Sequence, residues 1–182
     1  VLAYLNERDA VVKQLGDRFK AQPAEIVDRV MSLQEELKAT GKALAAAQAE
    51  LAVAKAGALA AKAEAVGEFQ LLVERLDGVD GAGLQGAAQS LADQLGDGAA
   101  VVIGGLPDPA DLGKVILVAA FGKQVIAAKL QAGKFIGGIA KLCGGGGGGR
   151  PNLAQAGGRD GAQLTSALEA AAVQLQQALE NA

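Results

Sequence analysis

Histidine is absent from the 182 residues. That removes imidazole zinc sites, the Ser/His and Cys/His nucleophile pairs, and the commonest general base. Cysteine occurs once, at Cys143, so no disulfide can close within the chain and a cytosolic setting is consistent. A lone thiol at the end of a helical pattern reads as a small apolar side chain. Aromatic residues make up 3% of the chain, too few to stack the bases of a single strand. No run of about twenty apolar residues escapes a charge or a glycine, and no basic, apolar leader opens the chain. A soluble cytoplasmic protein with no membrane partner is expected. The chain opens at Val1 with a helical pattern already under way, which reads as a piece of a larger polypeptide. No catalytic residue and no metal ligand is assigned to it.

Apolar residues account for 51% of the sequence. Most of that fraction is alanine, which favours helices but buries little area per side chain. The core is therefore expected to be thin and to rest on Leu, Ile and Val.

The net charge of −3 hides an uneven distribution. Residues 112–159 contain no Asp or Glu but hold Lys114, Lys123, Lys129, Lys134, Lys141, Arg150 and Arg159, so this window carries +7 and the remainder −10. At the chain-average density of 20 acidic residues in 182, about five would fall in the window. A basic stretch without acidic screening attracts phosphates in a sequence-independent, salt-sensitive way. Ordinary surface decoration is the competing explanation.

Read for periodicity, the first segment places Leu5, Val11, Val12, Leu15 and Phe19 at helical spacing. Gln22 and Pro23 mark a turn into a second helix running to about Val66. Along it Ile26, Val30, Leu33, Leu37, Thr40, Leu44, Ala47, Leu51, Ala54, Ala58, Ala61 and Ala65 alternate steps of four and three, a heptad seam. Two partners compete for that seam: the first helix, about half as long, and the same helix of a second chain. The second reading makes the protein a homodimer through Leu37, Leu44, Leu51 and Ala58.

Composition shifts after Gly67. Strands are predicted at 69–76, 99–103 and 115–120, with a helix carrying Leu84, Ala88, Leu91 and Leu95 between the first two. GGLPDPAD reads as a loop. Helical spacing resumes with Val125, Ile126 and Leu130, breaks at Ala132 and Gly133, and resumes with Phe135, Ile136, Ile139 and Leu142. After six glycines come a short extended piece at 153–156 and a last helix. Asp160 and Gln163 suggest a capping box for it, and Leu164, Leu168, Ala171, Leu175 and Leu179 its apolar face. The expected fold is α+β: a helical hairpin with a long coiled-coil-like helix over 1–67, then a small α/β domain over 68–182 containing a glycine-rich loop at 144–149.

Lys134 and Lys141 lie seven residues apart on one helix, hence on one face with Gly138 between them; Phe135, Ile139 and Leu142 are expected opposite. Gly137 and Gly138 serve either close approach of a phosphate backbone or tight packing on a strand. The glycine run is no P-loop, because no Lys-Ser or Lys-Thr ends it. It serves either as an anion-binding nest of backbone N–H groups or as a flexible linker. A linker joins self-sufficient parts, and one short strand and one helix are not self-sufficient, so the run is expected inside a domain.

GGGGGGRPNLAQAGG, preceded by AGKFIGGIAKLC, resembles the signature near the C-terminus of alanyl-tRNA synthetases. The resemblance extends from about Phe69 to the end, and the helices before it fit the linker to the editing domain of that family. The same domain type follows the catalytic core of phosphoesterases with an Asp-His-His motif. The resemblance implies a tRNA-binding domain that grips the outer corner of the tRNA, supports cooperation of aminoacylation and editing, and dimerises through its helices. It points to Lys134, Gly145, Gly146, Gly147, Gly148, Arg150 and Gln155 as RNA contacts, and the acid-free window adds Lys123, Lys129, Lys141 and Arg159. No cofactor is expected in this segment; the ATP, magnesium and zinc of the parent ligase would belong to other domains, which are also expected partners. Two alternatives stand beside this reading: a domain of a free-standing alanyl-tRNA editing protein, and a structural dimerisation module without an RNA role.

Overall fold

The computed structural model describes the backbone of residues 2–182, and the side chains of 9–182 other than 45, 48, 49 and 52–57. The chain divides into two compact units, Val1–Leu44 and Ala45–Ala182.

In the first unit, α1 (Leu2–Phe19) ends at Lys20, whose φ of 49° turns the chain into the left-handed region. Ala21 N–H closes that turn on Gly16 O at 3.1 Å. Glu25 N–H then bonds Gln22 O at 2.8 Å and α2 (Ile26–Ala60) begins, so the expected break at Gln22 and Pro23 is in place. Val11, Val12 and Leu15 of α1 and Val27, Met31 and Leu37 of α2 are exposed, with Leu37 at 75%. Ile26 alone among the described residues of this unit is buried.

The second unit contains a six-stranded sheet in the order β1-β2-β3-β4-β6-β5. Its elements are β1 (Glu64–Val66), β2 (Phe69–Arg75), α3 (Gly81–Leu95), β3 (Ala99–Gly105), β4 (Val115–Phe121), α4 (Lys123–Ala127), α5 (Ala132–Ala140), β5 (Gly146–Gly149), β6 (Leu153–Gly158) and α6 (Leu164–Glu180). The β2 and β3 strands run parallel, joined by α3 as a crossover; every other neighbouring pair is antiparallel.

The continuous apolar runs of β3 and β4 belong to strands buried on both faces. Ala100, Val102, Leu117, Ala119 and Phe121 face one layer with Ile136 and Ile139 of α5 and Leu164, Leu168 and Leu175 of α6. Their alternates Ala99, Val101, Ile103, Ile116, Val118 and Ala120 face α3 through Leu84, Ala87, Ala88 and Leu91. Each fully buried Leu or Ile stabilises the fold by roughly 1.5–3 kcal/mol, which lets an alanine-rich chain hold a three-layer structure. Asp80 caps α3, its carboxylate accepting from Gly83 N–H at 2.8 Å.

The structure corrects several sequence expectations. The second helix stops at Ala60, because Lys62 and Ala63 N–H turn back onto Leu59 and Ala60 O, and the following residues form β1. Gly67, at φ 61°, makes the tight turn from β1 to β2. The break between α4 and α5 falls at Lys129, at φ 66°, and not at Ala132 and Gly133, which begin α5. The strand β3 runs on through Gly104 and Gly105, so the loop starts only at Leu106; a methyl on Gly105 would run into the carbonyl of Leu76. Only half of the capping box forms. Asp160 accepts from Ala162 N–H at 3.1 Å, while its own N–H goes to Cys143 O.

The six glycines are the largest correction. Residues 144–149 are not a loop, since Gly146–Gly149 form β5, the edge strand paired with β6 in the register Gly146↔Gly157 to Gly149↔Ala154. At alternate positions of the run a side chain has no room. A Cβ on Gly147 would collide with the Ala156 backbone and one on Gly145 with the Gly157 carbonyl. From the helix side, a methyl on Gly133 would meet Gly149 O at 2.7 Å, and one on Gly137 would meet Gly147 O at 2.8 Å.

Candidate nucleic-acid interface

The acid-free window builds β4, α4, α5, β5 and β6, so its cations decorate one end of the sheet. The α5 helix lies over β5 because Gly133 and Gly137, four apart, remove every side chain between helix and strand. That contact turns the other side of α5 to solvent. Lys134 and Lys141 are exposed there, and Gly138 between them has open space around its missing side chain. The two possibilities left open for Gly137 and Gly138 thus divide: Gly137 packs on the strand and Gly138 faces outward.

Leu142, expected in the core, is 49% exposed. The helix tightens to a 3-10 turn at Lys141–Cys143, which moves Cys143 inward in its place. Cys143 is fully buried, and burial, with a smaller push from the Asp160 charge, raises its thiol above the usual range. The folded thiol holds its proton to higher pH than the unfolded one. Stability is therefore unaffected at low pH and falls once pH rises above the unfolded thiol pKa of roughly 8.5. Denaturation midpoints from pH 7 to 10 should decline more steeply for wild type than for Cys143→Ala; parallel slopes would contradict this.

The remaining candidates separate onto different parts of the surface. Arg150 is exposed at the β5–β6 turn, which Ala132 N–H ties to the start of α5 through Pro151 O at 2.9 Å. Gln155 does not join Lys134 and Lys141: it points to the α3 face, where its Oε1 accepts from Gln85 Nε2 at 2.8 Å. Arg159, just past the end of β6, lines the same groove as Gln155. Lys123 lies 3.7 Å from Asp97 in an exposed pair, and Lys129 is exposed after α4. Among the described residues, Lys134, Lys141, Arg150 and Arg159 form no ion pair.

Sequence reasoning passed over Lys114 as a site residue, although its place in the acid-free window was visible. It lines a groove with Gly144, Gly145, Gly146, Gln155 and Arg159. No three Cys, Asp or Glu residues converge as metal ligands among the described residues. No helix there is long and apolar enough to cross a membrane. The arrangement offers exposed cations near a side-chain-free strand, suited to holding a polyanion.

Residues 68–177 match the family model of the DHHA1 domain. The chain is similar to the alanine–tRNA ligase of Parasynechococcus marenigrum (strain WH8102), at 92% identity over 179 residues. It is 85% identical over 179 residues to that of Synechococcus sp. (strain WH7803). Each match covers 98% of this chain and 20% of the ligase, so the chain spans about a fifth of the length of these curated relatives. Among solved structures it resembles the C-Ala domain of Aquifex aeolicus alanyl-tRNA synthetase, at 28% identity and a TM-score of 0.52, over 65% of this chain and 97% of that one.

Proposed function

The chain belongs to the DHHA1 domain family, as a segment of the alanyl-tRNA synthetase type, and from that premise we propose that residues 68–182 bind folded tRNA. The observation that carries this is the row of Lys134, Gly138 and Lys141, exposed and, among the described residues, free of ion pairs, on a helical segment packed against a strand without side chains. Cations held on a rigid helix grip a phosphate backbone, and the missing side chains let that backbone approach closely. With few aromatics, recognition rests on shape and charge, which suits the outer corner of the folded tRNA. Gly145, Gly146, Gly147, Gly148 and Arg150 frame the contact, with Lys123, Lys129 and Arg159 adding longer-range attraction. Gln155 supports the hairpin through Gln85 and contacts a sugar or base edge only with the groove beside it. Holding the tRNA here would let one bound molecule serve both aminoacylation and editing in the larger enzyme, whose ATP and metal chemistry lie elsewhere. The test is binding of the 182-residue chain to folded alanine tRNA across a salt series. Affinity that falls linearly in log–log form supports the reading, and no binding at low salt sinks it.

A second reading concerns residues 1–67. Leu37, Leu44 and Leu51 are 75%, 59% and 53% exposed along one seam of α2, with Ala58 exposed beyond them. A stripe of this kind is covered by a partner of the same period, and a second copy supplies one. Sedimentation at increasing concentration should show a dimer that Leu37→Glu/Leu44→Glu converts to monomer. An unchanged mass distribution in that variant rejects the pairing.

A further inference from the structure

Lys114 and Arg159 flank the last pair of the β4–β6 ladder, Val115↔Gly158, each just outside its strand. Both line the same groove of about 670 Å³, so the two cations face one space. Like charges that share one groove repel. The neighbouring carboxylates are engaged by backbone, Asp111 accepting from Gly113 N–H and Asp160 from Ala162 N–H, and among the described residues neither forms an ion pair with Lys114 or Arg159.

The groove lies on the opposite side of the sheet from α5. Two residues of its lining turn to α3: Ile116 packs in that layer and Gln155 bonds Gln85 of α3. The floor is Gly144, Gly145, Gly146, Gly157 and Gly158. A side chain on Gly144 or Gly146 would enter open space, so the absence of side chains leaves the groove clear.

We infer that this groove is a second phosphodiester track, with Lys114 and Arg159 sharing the backbone of the same folded RNA that Lys134 and Lys141 hold from the other face. The inference rests on the tRNA reading above and extends it. The β5–β6 hairpin, with α5 packed over it, then lies between two stretches of the RNA backbone. A phosphate between Lys114 and Arg159 converts their repulsion into a shared attraction, which accounts for two cations at neighbouring positions with no carboxylate between them.

Phosphate-ethylation interference on folded alanine tRNA, read with the 182-residue chain, tests this. Wild type should show two separate clusters of interfering phosphates. Lys114→Ala/Arg159→Ala should erase one cluster and lower the log–log salt slope by about 2; Lys134→Ala/Lys141→Ala should erase the other. A groove variant that leaves both clusters and the slope intact overturns the second track while the tRNA reading stands. Absence of binding by wild type overturns both. Lys114→Glu keeps the test independent of folding. It should raise the melting midpoint by about 2 °C by pairing with Arg159, yet lose the same cluster. A lowered midpoint would contradict the repulsion on which the inference depends.

Discussion

Lys134→Ala/Lys141→Ala/Arg150→Ala lowers affinity for folded tRNA by about 10- to 100-fold at low salt, at roughly 0.5–1 kcal/mol per exposed charge. The slope of log affinity against log salt becomes shallower by about 2.7, because each neutralised phosphate accounts for about 0.9. The two readouts together matter more than either alone. A variant that had merely unfolded would lose binding at every salt concentration, and a variant that lost only decorative charge would keep its affinity. All three side chains are exposed and none forms an ion pair among the described residues, so the melting midpoint should stay where it is. Isothermal binding at four salt concentrations, beside a melting curve, suffices. An unchanged slope would show that the RNA lies elsewhere.

Gly145→Ala and Gly147→Ala are each expected to destabilise the sheet unit by about 3 kcal/mol, near the top of the range for overpacking, because the added methyl meets backbone that is pinned by the ladder. For a chain of this size that is a fall in midpoint of roughly 6–12 °C. Gly146→Ala is the control one position away. Its methyl enters open space, and alanine restricts the unfolded chain more than glycine does, so it should be neutral or raise stability by up to about 1 kcal/mol. A flexible linker would tolerate all three alike. Thermal melts of the three variants therefore separate strand from linker, and equal midpoints would refute the packing described for β5.

Much of the sheet unit was legible in the sequence, for physical reasons. Val115, Ile116, Leu117 and Val118 form an unbroken apolar run because both faces of β4 are covered, and Leu164, Leu168, Ala171, Leu175 and Leu179 keep helical spacing because one side of α6 faces the sheet. Two strands were not legible. The three residues of β1 carry no alternation long enough to read, and β5 has no side chains at all, so hydrophobic period had nothing to report. Leu142 misled because a helical pattern was carried one turn past Ala140, where the backbone tightens. The candidate cations were visible as a charge asymmetry, but their division over the surface depends on where β4 and β6 end beside one another. That cannot be read before the sheet order is known. Along the α2 seam Ile26 is buried and Val30 and Leu33 are half-buried, whereas Leu37, Leu44 and Leu51 are exposed.

The β5 strand is specified by count. Four residues of identical composition hold no information about which of them should oppose Gln155; that is settled only by how many separate the left-handed turn at Gly144 from Arg150. Deleting one glycine from the run would scarcely change its chemistry, yet it would shift Arg150 by one place and exchange inward for outward at every position between. The run thus behaves as a ruler, indifferent to what it is made of so long as it is bare, and intolerant of any change in length.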